Sequence, residues 1–247
     1  MKIEVGLIGD GKWASKIKPN LIKVSNLKFI CDSKKSYLIK LKENKIKWVF
    51  IATPNKTHYP IVRDCLNKKI NVFCEKPLCL TSNKAKKLIQ IAKEKKVKLY
   101  VSDIYDYYSK KFDKLILSNN IYRSKFVKGS DVEFFNRFMY HDISILYYFL
   151  KKNKVKYCAY IPNQTKKLFK IVIKFANNKK INFLYNLNSN KKMHFINNTN
   201  IFSKKNYLQK MIVNVLYDKV DIKENNEKAL FIIDYLAKIR KEIKYGN

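Results

Sequence analysis

The first hundred residues alternate short apolar runs with segments of helical periodicity. Five of the apolar runs show no polar alternation, which is typical of strands buried on both faces of a parallel sheet. These runs lie at residues 3–8, 27–31, 48–52, 70–74 and 97–101. A helix is predicted over 82–95, because apolar residues recur there at helical spacing behind a polar cap. Alternating strands and helices predict a doubly wound, Rossmann-type α/β fold with a parallel sheet.

The later residues show a different pattern, in which apolar and polar positions alternate. This alternation is clearest at 155–161, 169–175 and 181–187. One apolar face and one polar face predict the half-buried strands of a mostly antiparallel sheet.

Helices and turns complete the pattern of the later residues. Helices are predicted over 110–117, 141–150 and 227–243. The stretches rich in Asn and Lys near 176–180, 188–192 and 222–226 are interpreted as turns. The sequence therefore predicts a dinucleotide-binding Rossmann domain over 1–103 and a smaller α+β domain over 104–247.

The strong positive charge raises the question of a nucleic-acid partner. The formal net charge is +34, yet four of the 53 basic residues are arginines, on which sequence-specific DNA-binding proteins depend. The lysines are spread along the whole chain beside many Asn, Ile, Phe and Tyr residues, as codons rich in adenine and thymine produce. We therefore expect no specific nucleic-acid partner, and weak, salt-sensitive binding to polyanions.

The cysteines and the apolar runs bear on cellular location. The five cysteines are odd in number and scattered, with no Cys-x-x-Cys pair, which indicates reduced thiols rather than disulfides or a metal site. No apolar run approaches the roughly 20 residues of a membrane helix. The first apolar stretch is too short for a signal peptide. These features predict a cytoplasmic protein with no metal and no membrane partner.

The chain crowds three of its five glycines, Gly6, Gly9 and Gly11, into the first eleven residues. The stretch GDGKWA after the first strand has the G-x-G-x-x-A form of the dinucleotide fingerprint, in which a tight glycine turn meets the pyrophosphate at a helix N-terminus. Gly6 is interpreted as a close-packed strand position. The cofactor-binding residues predicted from this turn are Gly9, Gly11, Lys12, Trp13 and Ala14.

Asp32 ends the second strand 21 positions after Gly11. An acid at this place binds the adenosine ribose hydroxyls and repels a 2′-phosphate, which favours NAD. Ser33, Lys34 and Lys35 follow directly and suit a 2′-phosphate, so NADP is the alternative cofactor.

Two further stretches follow strands, IATPNKTHYPIV after the third and NVFCEKPLCLT after the fourth. With the glycine turn and Asp32, they resemble the Gfo/Idh/MocA family of NAD(P)-dependent oxidoreductases, which includes glucose–fructose oxidoreductase and inositol dehydrogenase. The resemblance covers about the first hundred residues of a chain that is short for the family. It implies further cofactor contacts from Thr53, Pro54, Asn55, His58, Glu75 and Lys76, with a capping role as the alternative for His58.

The resemblance also implies catalytic residues. Lys76 would orient the substrate hydroxyl and favour its developing alkoxide. The stretch FFNRFMYHDISILYYFL resembles a family helix that carries an Asp and, four residues later, a His, which makes His141 the general base. Arg137 stands where that Asp is expected. Three interpretations stay open: Lys76 and His141 act alone, Arg137 binds an anionic substrate, or catalysis is lost.

The predicted function is therefore hydride transfer between a nicotinamide cofactor and a hydroxyl or keto carbon of a sugar, cyclitol or nucleotide sugar. The alternative is a non-catalytic regulator that binds a dinucleotide or a sugar on the same fold. The resemblance further implies a homo-oligomer formed through the sheet of the second domain.

Overall fold

The computed structural model describes residues 2–32, 36–107, 120–128, 135–163, 167–201 and 207–244. The predicted helix over 110–117, together with Ser33, Lys34 and Lys35, lies outside the described residues. The chain divides into two compact units, which comprise Met1–Ile104 with Asn206–Asp234, and Tyr105–Lys205 with Tyr235–Asn247. Ile104 and the segment Asn206–Asp234, which the sequence pattern assigns to the second domain, are grouped with the first unit. The domains over 1–103 and 104–247 stay a prediction.

A five-stranded parallel sheet forms the centre of the first unit. Its strands are β1 (Glu4–Ile8), β2 (Asn26–Cys31), β3 (Trp48–Ile51), β4 (Asn71–Cys74) and β5 (Leu99–Val101). They follow the order β2-β1-β3-β4-β5, a common doubly wound order that reverses between β1 and β3. The predicted Rossmann-type fold is confirmed. Every residue of β3 is fully buried, as expected of a central strand of a parallel sheet.

Four helices connect these strands. They are α1 (Ala14–Val24), α2 (Ser36–Glu43), α3 (Asn55–Asn67) and α4 (Ser82–Glu94). Helix α4 confirms the helix predicted from periodicity, and its Ala85, Leu88 and Ala92 are buried. All five cysteines are free thiols in the structure.

Two later helices are α7 (Tyr207–Leu216) and α8 (Ile222–Lys244), of which α7 and the part of α8 up to Asp234 belong to the first unit. The turn predicted near 222–226 is wrong. The Asp221 carboxylate accepts a hydrogen bond from the Glu224 N–H at 2.9 Å and caps the start of α8. The Asn225 side chain accepts from the Val101 N–H and donates to the Val101 carbonyl, so it occupies the open edge of β5.

A six-stranded sheet forms the second unit. Its strands are β6 (Asn120–Lys128), β7 (Val155–Asn163), β8 (Leu168–Phe175), β9 (Lys180–Asn186), β10 (Asn188–Ile196) and β11 (Thr199–Asn200). The strand order is β11-β10-β6-β9-β8-β7, with β6 and β9 parallel and the other described pairs antiparallel. The predicted mostly antiparallel sheet is confirmed. The turn predicted near 188–192 is wrong, because β10 begins at Asn188.

Two short helices, α5 (Tyr140–Ile145) and α6 (Tyr147–Lys152), replace the single helix predicted over 141–150. The break falls at Leu146, whose φ of −93° and ψ of 9° depart from helical values. A π-helical turn, Phe135–Met139, precedes α5. Along the described parts of the chain, no helix combines the length and the hydropathy needed to cross a membrane.

Candidate cofactor and catalytic site

The turn after β1 requires glycine at one position and leaves open space at another. Gly9 has a φ of +128°, and a Cβ there would lie 2.3 Å from the Ala52 carbonyl oxygen. Its N–H donates to the Cys31 carbonyl at 2.7 Å, so the turn lies against the end of β2. A Cβ on Gly11 would meet nothing within 4 Å. Gly9 is therefore needed by the fold itself, whereas the fold does not explain Gly11.

The interpretation of Gly6 as a close-packed strand position is confirmed, because a Cβ there would lie 2.3 Å from the Phe29 ring. Ala14, the alanine of the fingerprint, is buried where α1 begins. Lys12 and Trp13 precede it on the surface, and the Lys16 ammonium lies 4.8 Å from the centre of the Trp13 ring. The described first turn of α1 contains no acidic residue, which suits an anion at the N-terminus of the helix.

Asp32 follows β2 directly, and its carboxylate accepts a hydrogen bond from the Ser36 hydroxyl at 3.0 Å. Because Ile8 and Cys31 are partners in the β1–β2 ladder, Asp32 lies beside the glycine turn. The structure thus brings together the two features from which the sequence predicted dinucleotide binding. Half-buried Asp32 is held by the first residue of α2.

The loop after β3 lies at the point where the strand order reverses, which is the ligand-binding position of doubly wound sheets. Thr53 and Pro54 lead into α3, whose first residue is Asn55. The Thr57 hydroxyl lies 2.8 Å from both the Thr53 hydroxyl and the Pro54 carbonyl oxygen, so the first turn of α3 secures this loop.

His58 is fully buried and links two loops of the first unit. Its Nδ1 lies 2.8 Å from the Pro77 carbonyl oxygen, and its Nε2 lies 2.9 Å from the Thr53 carbonyl oxygen. Burial lowers the pKa of His58, against the effect of these two hydrogen bonds, and the charge of Lys76 lowers it further. This geometry makes His58 a residue that holds the Thr53 loop against the Lys76–Pro77 loop, which has a cis peptide bond.

The loop after β4 begins with Glu75, which is buried, and continues with Lys76, which is half-buried. Burial raises the pKa of the Glu75 carboxyl, and hydrogen bonds with the Trp13 and Ser102 side chains and the charge of Lys76 counter this rise. One carboxylate oxygen, Oε1, finds no hydrogen-bond partner among the described residues. A buried acceptor in this state is suited to a donor on a ligand.

In the second unit, His141 is the second residue of α5 and is partly exposed. Its ring lies 4.9 Å from that of Tyr105 at 57°, and 6.2 Å from that of Tyr140, edge to face. Arg137 belongs to the π-helical turn before α5, and its side chain lies outside the described residues. Turns of this kind occur frequently at functional sites.

A buried charge cluster that the sequence analysis missed lies next to His141 in the chain. The Asp142 carboxylate accepts hydrogen bonds from Arg123 Nε at 2.7 Å, Lys125 Nζ at 3.0 Å and the Tyr185 hydroxyl at 2.9 Å. Burial alone would raise the pKa of Asp142, but the charges of Arg123 and Lys125 outweigh burial and hold it below its usual value. Lys125 also donates to the Phe138 carbonyl in the π-helical turn, at 3.1 Å. The cluster therefore holds α5, which contains His141, and the π-helical turn that precedes it.

His194 is the second residue that the sequence analysis missed. It pairs with Lys125 across the β6–β10 ladder, and its Nδ1 lies 3.5 Å from the Tyr105 hydroxyl. Burial and the charges of Lys125 and Arg123 lower its pKa to about 3. The one available signal was its rarity, because the chain has three histidines.

The pKa of His194 predicts a loss of stability in mild acid. Below about pH 6.5 the unfolded chain protonates this histidine, whereas the folded chain does so only near pH 3, so protons favour unfolding. We expect His194 to contribute a fall of about 1.4 kcal/mol per pH unit in the free energy of unfolding. Urea denaturation at pH 6.0 and 5.0 should show a smaller fall in His194→Gln than in the wild type. Equal slopes would contradict the assignment.

Comparison with known proteins agrees with this geometry. Residues 18–103 match the Gfo/Idh/MocA model, which describes an oxidoreductase family with an NAD-binding Rossmann fold. Over these residues the chain is similar to the Gfo/Idh/MocA family. The matched residues include Asp32, the Thr53 loop and the Glu75–Lys76 loop, whereas the glycine turn and His141 lie outside them. The family resemblance predicted from the sequence motifs is confirmed over residues 18–103.

Individual relatives match over short segments. An uncharacterized oxidoreductase of Schizosaccharomyces pombe is 37% identical over 73 residues, which are 30% of this chain and 18% of that protein. Inositol 2-dehydrogenase of Rubrobacter xylanophilus is 36% identical over 50 residues, which are 20% of this chain and 14% of that enzyme. The matched segments thus span less than a fifth of these relatives' lengths.

Solved structures extend the likeness to the whole fold. The structure of UDP-N-acetylglucosamine 3-dehydrogenase GnnA from Acidithiobacillus ferrooxidans superposes with a TM-score of 0.80 at 14% identity, and the match covers 99% of both chains. At this identity the similarity shows a shared fold, and no more.

Proposed function

We propose that this protein is a member of the Gfo/Idh/MocA family and an NAD-dependent dehydrogenase acting on a hydroxyl or keto carbon of a sugar, cyclitol or nucleotide sugar. The observation that carries the proposal is the meeting of the glycine turn, Asp32 and the Thr53 loop where the strand order reverses. The substrate class is supported by the relatives whose names specify inositol and a UDP-linked N-acetylglucosamine.

The residues present fit a dinucleotide. The open space beside Gly11 suits a phosphate approaching the backbone, and Asp32 suits the ribose hydroxyls. The unpartnered oxygen of Glu75 adds a buried acceptor in the same unit. Asp32 favours NAD over NADP, since its charge repels a 2′-phosphate. When bound, the nicotinamide supplies or accepts the hydride.

Each catalytic residue has a chemical task within this proposal. The Lys76 ammonium would donate a hydrogen bond to the substrate oxygen and stabilise the negative charge that develops there. The His141 imidazole would exchange the proton of that oxygen. His58 would hold the Lys76–Pro77 loop in place through the Pro77 carbonyl. Cytoplasmic location and homo-oligomerisation through the second-unit sheet stay predictions.

Substitution of Gly11 tests the cofactor site. Gly11→Ala is expected to keep its thermal stability, because the added Cβ meets open space, and to bind NADH about tenfold more weakly, because the methyl group obstructs the phosphate. Fluorescence titration with NADH and NADPH, beside thermal melts, measures both quantities. The control, Gly9→Ala, should lose stability as well, because its backbone is strained and crowded. Unchanged NADH affinity in Gly11→Ala would contradict the site.

A regulator that binds but does not react is the second candidate, and Arg137 at the family's Asp position favours it. An assay of the wild-type protein with NAD and a panel of sugars, inositols and nucleotide sugars distinguishes the dehydrogenase from the regulator. Turnover of any member supports the dehydrogenase, whereas NADH binding without turnover supports the regulator.

A further inference from the structure

A cleft of about 590 Å³ lies at one end of the sheet in the second unit. Its polar lining consists of four lysines and two asparagines, and none of the described residues that line it is acidic. These residues are Asn120, Lys156, Lys174, Asn178, Lys179 and Lys180. None of them belongs to the candidate dinucleotide site or to the cluster around Asp142.

The register of four strands brings these side chains together. Lys174 of β8 and Lys180 of β9 are direct partners in an antiparallel ladder, so their side chains share one face of the sheet. Asn120 of β6 is the partner of Lys180 on the other side. In β7 the ladder is interrupted between Val155 and Tyr157, which leaves Lys156 as the extra residue. Such bulges redirect a side chain, and they occur more often than expected next to active sites.

This arrangement is electrostatically unfavourable by itself. Like charges directly opposite each other destabilise a sheet. None of the four lysines forms an ion pair with a carboxylate in the described part of the chain. The Lys179 ammonium lies 5.4 Å from the centre of the Phe149 ring, a contact that does not neutralise its charge. A bound anion would remove the repulsion.

The general abundance of lysine does not account for the cleft. A composition bias spreads lysines over the surface, where each is solvated separately. Here a ladder register and a bulge concentrate them around one concave volume, which falls in the range of small-ligand sites. The ammonium groups of lysines are common phosphate ligands, and the asparagine amides add neutral donors.

We propose that this cleft binds a phosphate-bearing small molecule that carries at least two negative charges. The site is separate from the proposed dehydrogenase site, because none of its lining residues is a proposed catalytic or cofactor-binding residue.

Calorimetric titration with inorganic pyrophosphate at fixed ionic strength tests the proposal. The variant Lys174→Gln/Lys180→Gln is expected to bind pyrophosphate at least about tenfold more weakly than the wild type, because two charge-assisted hydrogen bonds are lost. The control, Lys86→Gln/Lys87→Gln on the exposed surface of α4, removes the same net charge and should bind within about twofold of the wild type.

Thermal melts supply a second readout. Without pyrophosphate, Lys174→Gln/Lys180→Gln should melt at a higher temperature than the wild type, since the repulsion is gone. With pyrophosphate, the wild type and the control should gain stability and the variant should not. Three results would overturn the proposal: no binding by the wild type, equal weakening in the α4 control, or loss of binding in Gly11→Ala with retention in Lys174→Gln/Lys180→Gln, which would assign pyrophosphate to the glycine turn.

Discussion

Replacement of Lys76 with methionine is expected to lower kcat by about 10³-fold while changing the NADH dissociation constant less than about threefold. Methionine keeps most of the side-chain volume and removes the charge. Lys76 follows buried Glu75 at the end of β4, in a loop that His58 holds through the Pro77 carbonyl. The ammonium acts mainly on the charge that develops in the transition state, so its loss should affect the rate more than binding.

The measurement compares steady-state kinetics, on the sugar or nucleotide sugar that the wild type turns over, with fluorescence titration of NADH. Lys87→Met on α4 is the matched control, because it removes one exposed lysine charge from the same unit. A Lys76→Met enzyme with nearly wild-type kcat would refute the role of Lys76 in catalysis. Loss of NADH binding in the variant would instead show that Lys76 serves the cofactor.

The parallel sheet could be predicted from the sequence because its strands are marked by local signals. Strands such as β3, with the sequence WVFI, are buried on both faces and therefore lack polar residues. The turns after β1, β3 and β4 carry glycine or proline, whose conformational effects are also local. The candidate cofactor residues follow these strands directly in the sequence. They could therefore be predicted once the strands had been predicted.

Strand β6 shows why the second unit was harder to predict. Its buried face consists of Ile121, Arg123, Lys125 and Val127, so the alternation exists but two of its inward positions are charged. A hydrophobic pattern cannot identify such a strand, since the charges are buried only because Asp142, a residue 17 positions after Lys125, neutralises part of them. Long-range pairing of this kind leaves no local signal.

The prediction of a turn at the start of α8 was wrong for a related reason. Asn225 and Asn226 are typical of turns, yet both are buried, and Asn225 uses its amide to satisfy the backbone of Val101, 124 residues away. The helix is stabilised by a tertiary contact that overrides local propensity.

The cluster around Asp142 makes the second large prediction. Asp142→Asn is expected to lower the free energy of unfolding by about 3–5 kcal/mol, because Arg123 and Lys125 are then left buried without a negative charge. Urea denaturation near pH 7 measures the loss. The exposed Lys40–Glu43 pair is the control, and Glu43→Gln should cost less than about 1 kcal/mol.

A double-mutant cycle separates the ion pair from a general defect in the helix. Lys125→Met/Asp142→Asn restores the net charge that the cluster has in the wild type, so it should be more stable than the sum of the two single substitutions implies, by at least about 1 kcal/mol. Additive losses would mean that Lys125 and Asp142 do not stabilise each other. Because Lys125 also donates to the Phe138 carbonyl just before α5, the single variant Lys125→Met should in addition alter the NMR signal of the His141 ring. Lys152→Met, an exposed change at the end of α6, should leave that signal in place.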